Sequence, residues 1–361
     1  MAGRSNRVLS ICCLGYCHAK YLSDAIQSIS RIGYDSLEVI VVDDGSSDNS
    51  VALLHELSST VPFDMRVVAQ SNTGNIGLNF NTAYRFARGE FVSFISLDDV
   101  YHPSVMLRQL QMMLDDTSLA FVASSKTVSI DDDGYVTHKA AQLPLHGLAA
   151  CDLDGLLELE YTEIGSFYIQ SAIFRKDVID AVGAFDEDMT GDDIVLRTKI
   201  FLYLKENAHL SFSILKENSF FYRLHGDNVH RNFPRQVKII TEYLDRFWSQ
   251  RGNPRLLVGW VASYVSDNNF DDWIRLFSMN SRAASLLSEA PVKSAILLSM
   301  KREFGVYAKF TRSIFRREKK SDGKRRVTIF GFLSFEYSKN QKKSTVNRRD
   351  GALHHSVYSS Y

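Results

Sequence analysis

Residues 37–48 read Leu-Glu-Val-Ile-Val-Val-Asp-Asp-Gly-Ser-Ser-Asp, and the fold turns on this stretch. Leu37–Val42 is a dense, largely β-branched apolar run, the pattern of a strand buried on both faces. It stops at Asp43-Asp44-Gly45, where the glycine permits a sharp turn. Ser46, Ser47 or Asp48 can then cap the helix that follows. A plain capped turn would read the same way. A carboxylate at a strand end can also accept the imide N–H of a base or the hydroxyls of a ribose.

The alternation continues in both directions. Val8–Leu14 fits a buried strand, and Leu22, Ala25, Ile26 and Ile29 lie at helical spacing within Ala19–Ile32. Downstream, a helical stretch runs to Leu57, Met65–Ala69 reads as a strand, and Gly74–Ala87 as a helix. Glu90–Ser96 is another strand, and it leads into Asp98-Asp99. Strands alternating with helices imply βαβ units and a mostly parallel central sheet in an α/β fold. Ligands of such sheets sit beyond the carboxyl ends of the strands, where both acid pairs fall.

The second half is less regular. Ser166–Phe174 reads as a strand, Asp192–Lys205 as a helix, and Phe220–Leu224 as a strand entering a polar loop. Beyond Pro234 the pattern is helical, with breaks near Gly252-Asn253-Pro254 and Pro291. Arg325–Tyr337 alternates basic and aromatic residues and reads as a small terminal strand pair. No internal repeat is visible.

The bulk composition is that of a globular protein. The 361 residues are 45% hydrophobic and 23% charged, enough for a sizeable core and an appendage. The net charge is zero but unevenly spread: residues 301–361 hold 16 Lys+Arg against 5 Asp+Glu. Basic residues interleaved with Phe and Ile over Lys309–Arg326 suit an anionic membrane surface. No nucleic-acid-binding module accompanies the charge, so no nucleic-acid partner is expected.

Cys12, Cys13, Cys17 and Cys151 form no zinc-type spacing, and they read as reduced, buried thiols. No long apolar leader and no run of ~18 apolar residues is present. The expected location is cytoplasmic, soluble or peripheral on the inner face of the membrane.

Two adjacent acids at a strand end repel, so Asp98-Asp99 invites a cation. A hard divalent ion bound by one or two carboxylates plus a diphosphate suits that position. Asp192 and Asp193 follow Gly191 and open a helical stretch, where simple N-capping and a base function are both compatible with the sequence. His225 follows Tyr222-Arg223, and Arg223 could pair with a diphosphate. His18 and His55 read as surface or helix positions with no assigned role.

The segments VVDDGSSDNS, NTGNIGLNFNTAYRFARGEFVSFISLDD, VGAFDEDMTGDDIVLRTKI and YRLHGDNVHRN, in this order, resemble glycosyltransferase family 2 over roughly residues 7–230. The resemblance implies an inverting enzyme with the Rossmann-like type A nucleotide-diphospho-sugar transferase fold and a C-terminal helical extension. It divides the chain into a catalytic domain (1–232), a helical extension (233–320) and a basic tail (321–361). Asp43 and Asp44 would meet the uracil and ribose of a UDP-sugar, with Tyr16 near the base. Asp98 would be the main carboxylate for Mn²⁺ or Mg²⁺, with Asp99 beside it near the sugar and phosphate, and His225 and Arg223 as metal and diphosphate contacts. Asp193 matches the general base and Asp192 the acid before it. Phe167, Tyr168 and Gln170 fall in the acceptor region.

The sequence departs from the family pattern at two places. Leu14-Gly15-Tyr16-Cys17 stands for the usual Pro-Thr-Tyr-Asn, and Ser96 replaces the first acid of Asp-x-Asp-Asp. The tail around Arg325–Phe332 is similar to the Phe-Gly tail of bacterial lipopolysaccharide and capsule glycosyltransferases. A lipid-linked saccharide acceptor in O-antigen or capsule synthesis is therefore the expected partner. The alternative is a non-catalytic member that binds a nucleotide or glycan. A nucleotidyltransferase would open on a Gly-rich phosphate loop, but residues 7–22 hold only Gly15.

Overall fold

A computed structural model of the chain describes residues 7–142, 144–148, 151–226, 232–304, 315–320, 324–329 and 333–338. The chain divides into two compact units, Met1–Gly226 and Asp227–Tyr361.

The first unit is built on a nine-stranded sheet. β1 (Leu9–Gly15) leads to α1 (Leu22–Ser30), and β2 (Leu37–Asp43) to α2 (Ser50–Ser58). β3 (Asp64–Ala69) then leads to α3 (Ile76–Tyr84) and β4 (Phe91–Ser96). These four strands pair in parallel in the order β3-β2-β1-β4. Every residue of β2 is buried, including Glu38, whose carboxylate accepts from the Ser10 hydroxyl and from Arg88.

The remaining elements are β5 (Val100–Tyr101), α4 (Pro103–Asp115), β6 (Leu119–Ile130), β7 (Val136–Gln142) and α5 (Leu153–Thr162). They continue with β8 (Ala172–Arg175), α6 (Lys176–Ala181), α7 (Asp193–Glu206) and β9 (Ser211–Arg223). The sheet extends from β4 as β8-β6-β9-β5, with β7 on β6. β8 is antiparallel to both β4 and β6, while β9 is parallel to β6. The parallel sheet expected from the sequence therefore spans β1–β4, and the second half makes it mixed. The strand expected over Ser166–Phe174 is shorter, because a 3-10 turn occupies Ile169–Ser171.

Two reversals restore direction, so β1, β2, β4, β6 and β9 all end on the same edge. The register fixes this edge closely: Gly15 pairs with Asp43, and Leu14 with Ser96. Beneath it, one cluster of buried residues includes Leu9, Ile11, Val39, Phe91, Ile95 and Ile173. A second layer of rings links Phe80, Phe94, Phe174, Phe121 and Phe201. Phe167 joins it at 2% exposure, so its expected place among acceptor contacts is not realised. Packing against Phe121 claims that side chain for the core.

Cys12 and Cys13 are fully buried, and burial raises both thiols. Cys17 is exposed, contrary to the expectation that all four thiols are inside. An aromatic disulfide reagent is expected to modify Cys17 in seconds to minutes and Cys151 more slowly. Cys12 and Cys13 should react only after denaturant is added. Rapid modification of all four thiols in the native protein would contradict this burial.

The second unit holds α8 (Phe233–Phe247), α9 (Arg255–Asp267), α10 (Phe270–Phe277), α11 (Ser281–Leu286) and α12 (Ala290–Phe304). Asn232, Asn269 and Asn280 cap three of them through side-chain oxygens. The expected break at Gly252–Pro254 separates α8 from α9. Pro291 instead sits in the first turn of α12, where its missing N–H costs nothing. The expected terminal strand pair is a three-stranded antiparallel meander: β10 (Phe315–Lys319), β11 (Lys324–Ile329) and β12 (Leu333–Ser338). Strand structure thus begins before residue 321. Lys309–Ile314, Phe330–Phe332 and Asn228 lie outside the described residues.

Candidate active site

The site is assembled at the shared edge from the segments that follow four strands, β1, β2, β4 and β9. The acidic turn after β2 comes first. Asp43 is fully buried, and its carboxylate accepts the Ser46 backbone N–H at 2.8 Å and the Ser46 hydroxyl at 2.6 Å. Gly45 lies behind it with φ +77°, and a Cβ there would stand 2.6 Å from the backbone nitrogen of Asn72. Only glycine fits this turn. Asp44 accepts the N–H groups of Thr73 at 2.8 Å and Gly74 at 3.2 Å, and the Gln70 amide at 3.1 Å. Burial pushes the Asp44 carboxyl up, but these donors outweigh it and hold it below its ordinary range. Both acids are thus engaged in shaping the edge. Tyr16 lies on its rim, 51% exposed.

The loop after β1 is tied to this turn on both sides of one residue. The Cys17 N–H donates to the Ser46 hydroxyl at 2.7 Å, and the Ala19 N–H to Asp48 at 3.1 Å. His18 lies between these two anchors. It is neither a helix residue nor a surface one, as the sequence had suggested: only 13% of its side chain is exposed, and it faces Asp98.

Asp98 follows β4. Its Oδ2 is 3.0 Å from His225 Nε2 and 4.0 Å from His18 Nε2. Burial would raise this carboxyl. The His225 hydrogen bond, the field of His18 and the nearby Ser96 hydroxyl overcome that and hold it at about 2. Asp98 is therefore ionised at neutral pH, and Ser96 contributes to keeping it so. Burial lowers His18 against the opposing pull of Asp98, Asp48 and Asp43. Asp98 Oδ1 and His18 Nδ1 are buried with no hydrogen-bond partner. Orphaned polar atoms of this kind are costly unless a further group meets them. An anionic oxygen and imidazole nitrogens are also the donor set a divalent metal takes, so these residues fit a cation.

Arg223, at the end of β9, differs from its expected role. Its Nε donates to the Asp98 carbonyl at 2.8 Å, Nη1 to the carbonyls of Asp131 and Asp132 at 3.3 Å, and Nη2 to Asp24 at 3.1 Å. The guanidinium also lies 4.8 Å over the Tyr21 ring. At 1% exposure it is a brace for the Asp98 main chain, not a free contact for a diphosphate. Asp99 is likewise 1% exposed and accepts the Arg223 backbone N–H at 2.9 Å. Burial first, then the charge of Asp98, pushes the Asp99 carboxyl far up. It locks β4 to β9 from within instead of meeting a sugar.

Asp192 and Asp193 open α7, and Asp192 makes no side-chain capping bond. Asp193 is partly exposed, and its Oδ2 lies 3.4 Å from Arg197 Nη1. Arg197 is gripped from the other side by the fully buried Glu160, at 2.8 and 3.1 Å. The link to Asp98 runs through Tyr222. Burial, then the charges of Asp99, Asp98 and Asp193 among others, pushes this phenol up. Tyr168 stacks on Tyr222 with centroids 5.8 Å apart, and the nearby Gln170 Oε1 is buried without a hydrogen-bond partner. The structure thus brings Asp43, Asp98, His225 and Asp193 to one edge and retires Asp99 and Arg223 to its frame. It adds His18, whose signal in the sequence was only its position directly after the first strand.

A parallel βαβ half whose acids stand beyond the carboxyl ends of β2 and β4, with His225 brought to the same edge by β9, places a ligand site where such sheets bind their ligands. Residues 10–183 match the model described as Glycosyl transferase family 2. An uncharacterized glycosyltransferase of Nostoc sp., alr2836, is 27% identical over 226 residues, covering 62% of this chain and 66% of its own length. Chondroitin synthase of Escherichia coli is 30% identical over 139 residues, covering 38% of this chain and 20% of its own. The chain thus spans just under two thirds of the first relative and a fifth of the second.

Among solved structures, S. aureus TarS 1–349 in complex with UDP-GlcNAc aligns over 92% of this chain and 100% of its own, with TM-score 0.51 and 16% identity. The mannosyltransferase PcManGT of Pyrobaculum calidifontis, in complex with GDP-Man and Mn²⁺, aligns over 82% of this chain and 85% of its own, with TM-score 0.50 and 14% identity. Over residues 10–183, just under half of its length, the chain matches the family 2 glycosyltransferases, and it has the type A fold of the TarS structure.

Proposed function

We propose that this protein moves one sugar from a nucleotide-diphospho-sugar to a saccharide hydroxyl with inversion. The observation that carries the reading is Asp98 held against His225 with one buried oxygen unpartnered, on the edge that also bears Asp193. Asp193 accepts the proton of the acceptor hydroxyl as that oxygen bonds to the anomeric carbon, while the bond from that carbon to the diphosphate breaks on the opposite face. Asp98 and His225 would hold Mn²⁺ or Mg²⁺, which when bound supplies positive charge for the departing diphosphate. The turn built by Asp43 and Asp44, with Tyr16 on its rim, receives the base and ribose. Asp192 shapes the backbone before the base.

UDP is the nucleotide we favour, in keeping with the UDP-GlcNAc in the TarS complex. A polysaccharide acceptor accords with relatives named chondroitin synthase and poly-β-1,6-N-acetyl-D-glucosamine synthase. We place the acceptor on a lipid carrier, in O-antigen or capsule assembly at the inner face of the cytoplasmic membrane. The basic C-terminal segment, with 16 Lys+Arg against 5 Asp+Glu over residues 301–361, would hold the enzyme to anionic lipid there. No helix among the described residues is long and apolar enough to cross a membrane.

A screen of UDP-, GDP- and dTDP-sugars against membrane lipid extracts, read by mass spectrometry, tests this reading. A UDP-sugar is expected to add one sugar mass to a lipid-linked product, only when Mn²⁺ or Mg²⁺ is present. Absence of turnover with every donor, alongside tight UDP binding by calorimetry, would make the protein a binding module instead.

A further inference from the structure

We propose that His18 is a third protein ligand of the cation site, and that the resulting His-Asp-His set selects a transition metal such as Mn²⁺ or Co²⁺ over Mg²⁺. This rests on the reading that Asp98 and His225 hold a cation. The argument begins with proximity. Ligand atoms of His18, Asp98 and His225 all lie within 4.8 Å of one another, and no other such group of three occurs among the described residues. The His18 and His225 rings stand 6.2 Å apart at 81°, so both imidazoles border the same carboxylate from different directions.

The second observation is that His18 is held in place. The flanking N–H groups of Cys17 and Ala19 are bound by Ser46 and Asp48 of the acidic turn. Ser46 is fixed in turn by Asp43. Cys17 takes a left-handed backbone, φ 55°, which a side-chain-bearing residue adopts only where its surroundings demand it. The His18 carbonyl accepts the Tyr21 N–H at 2.8 Å as α1 begins. A ring placed so firmly, with a buried nitrogen lacking a partner, is organised for a ligand role.

The third step is donor chemistry. Mg²⁺ prefers oxygen ligands and keeps its water, whereas imidazole suits the later divalent ions. A site of one carboxylate and one histidine leaves that choice to the substrate phosphates. A second imidazole moves it to the protein. The acidic turn thereby acquires a second duty, since it positions a ligand as well as the base and ribose.

The test uses the full chain with metal alone and no nucleotide. Mn²⁺ binding is followed by loss of the free-ion EPR signal, Co²⁺ by visible absorption, and Mg²⁺ by competition. Wild type should prefer Mn²⁺ to Mg²⁺, and His18→Ala should lower Mn²⁺ affinity by about ten-fold or more while changing Mg²⁺ affinity little. The Co²⁺ spectrum should change in the same variant. In wild type with labelled histidine, Zn²⁺ should shift two of the ten imidazole signals, a readout independent of how the variant folds. Unchanged Mn²⁺ affinity in His18→Ala, or a shift of one imidazole only, overturns the role of His18 and leaves the Asp98–His225 reading standing. Unchanged Mn²⁺ affinity in Asp98→Asn overturns that reading itself.

Discussion

An Asp193→Asn enzyme is expected to transfer sugar about 100- to 10,000-fold more slowly than wild type, the span of a lost general base. Asparagine keeps the shape of the side chain and the first turn of α7, so the fold and donor affinity should be untouched. The Arg197 contact at 3.4 Å sits at the margin of an ion pair, and its loss should cost little stability. The measurement is initial rate at saturating donor and acceptor, beside calorimetric binding of the donor nucleotide. A fall confined to kcat supports the role. A variant with normal kcat would move the base elsewhere, and Asp192 would be the next residue to test.

A Glu160→Ala variant should lose about 3 kcal/mol of stability, because it takes from the buried Arg197 the carboxylate that holds it with two bonds and leaves it the longer Asp193 contact. Both partners are almost wholly buried, and the pair closes with two bonds at 2.8 and 3.1 Å. Ser166 donates to the same carboxylate from its backbone at 3.2 Å and from its hydroxyl at 2.5 Å. For a unit of this size that loss lowers Tm by roughly 6 to 12 °C. Replacing both partners, Glu160→Leu with Arg197→Met, should recover most of the loss, since removing both charges also removes the desolvation cost. A single variant that melts as wild type would show that water already reaches the pair.

β1, β2 and β4 were legible because near-complete burial goes with a dense apolar run, and β2 and β4 lead into acid pairs; β3, with no fully buried residue, was legible from its short Val-Val run between two helices. The reversal at β8 was not legible. Four residues, Ala172–Arg175, carry no sign of direction, and only pairing with both β4 and β6 sets it. Residue type and order pointed to Asp98 and His225, and the structure brings the two side chains together. Arg223 and Asp99 were assigned to ligand because charged residues near a phosphate site invite that reading. Their burial depends on β9 crossing beside β4, a contact between residues more than a hundred positions apart. His18 was missed because a loop has no period, and its value comes from what the next turn does to it.

The arginine at the end of β9 has a consequence for anyone who would re-engineer this protein. Its side chain reaches the tip of the β6–β7 hairpin, through the carbonyls of Asp131 and Asp132, and the main chain of Asp98 at once. That tip looks like disposable surface decoration, the natural place to splice a tag or swap a loop from a relative. Lengthening it by a residue would tug on the main chain that carries Asp98, so grafts belong at the opposite rim of the sheet.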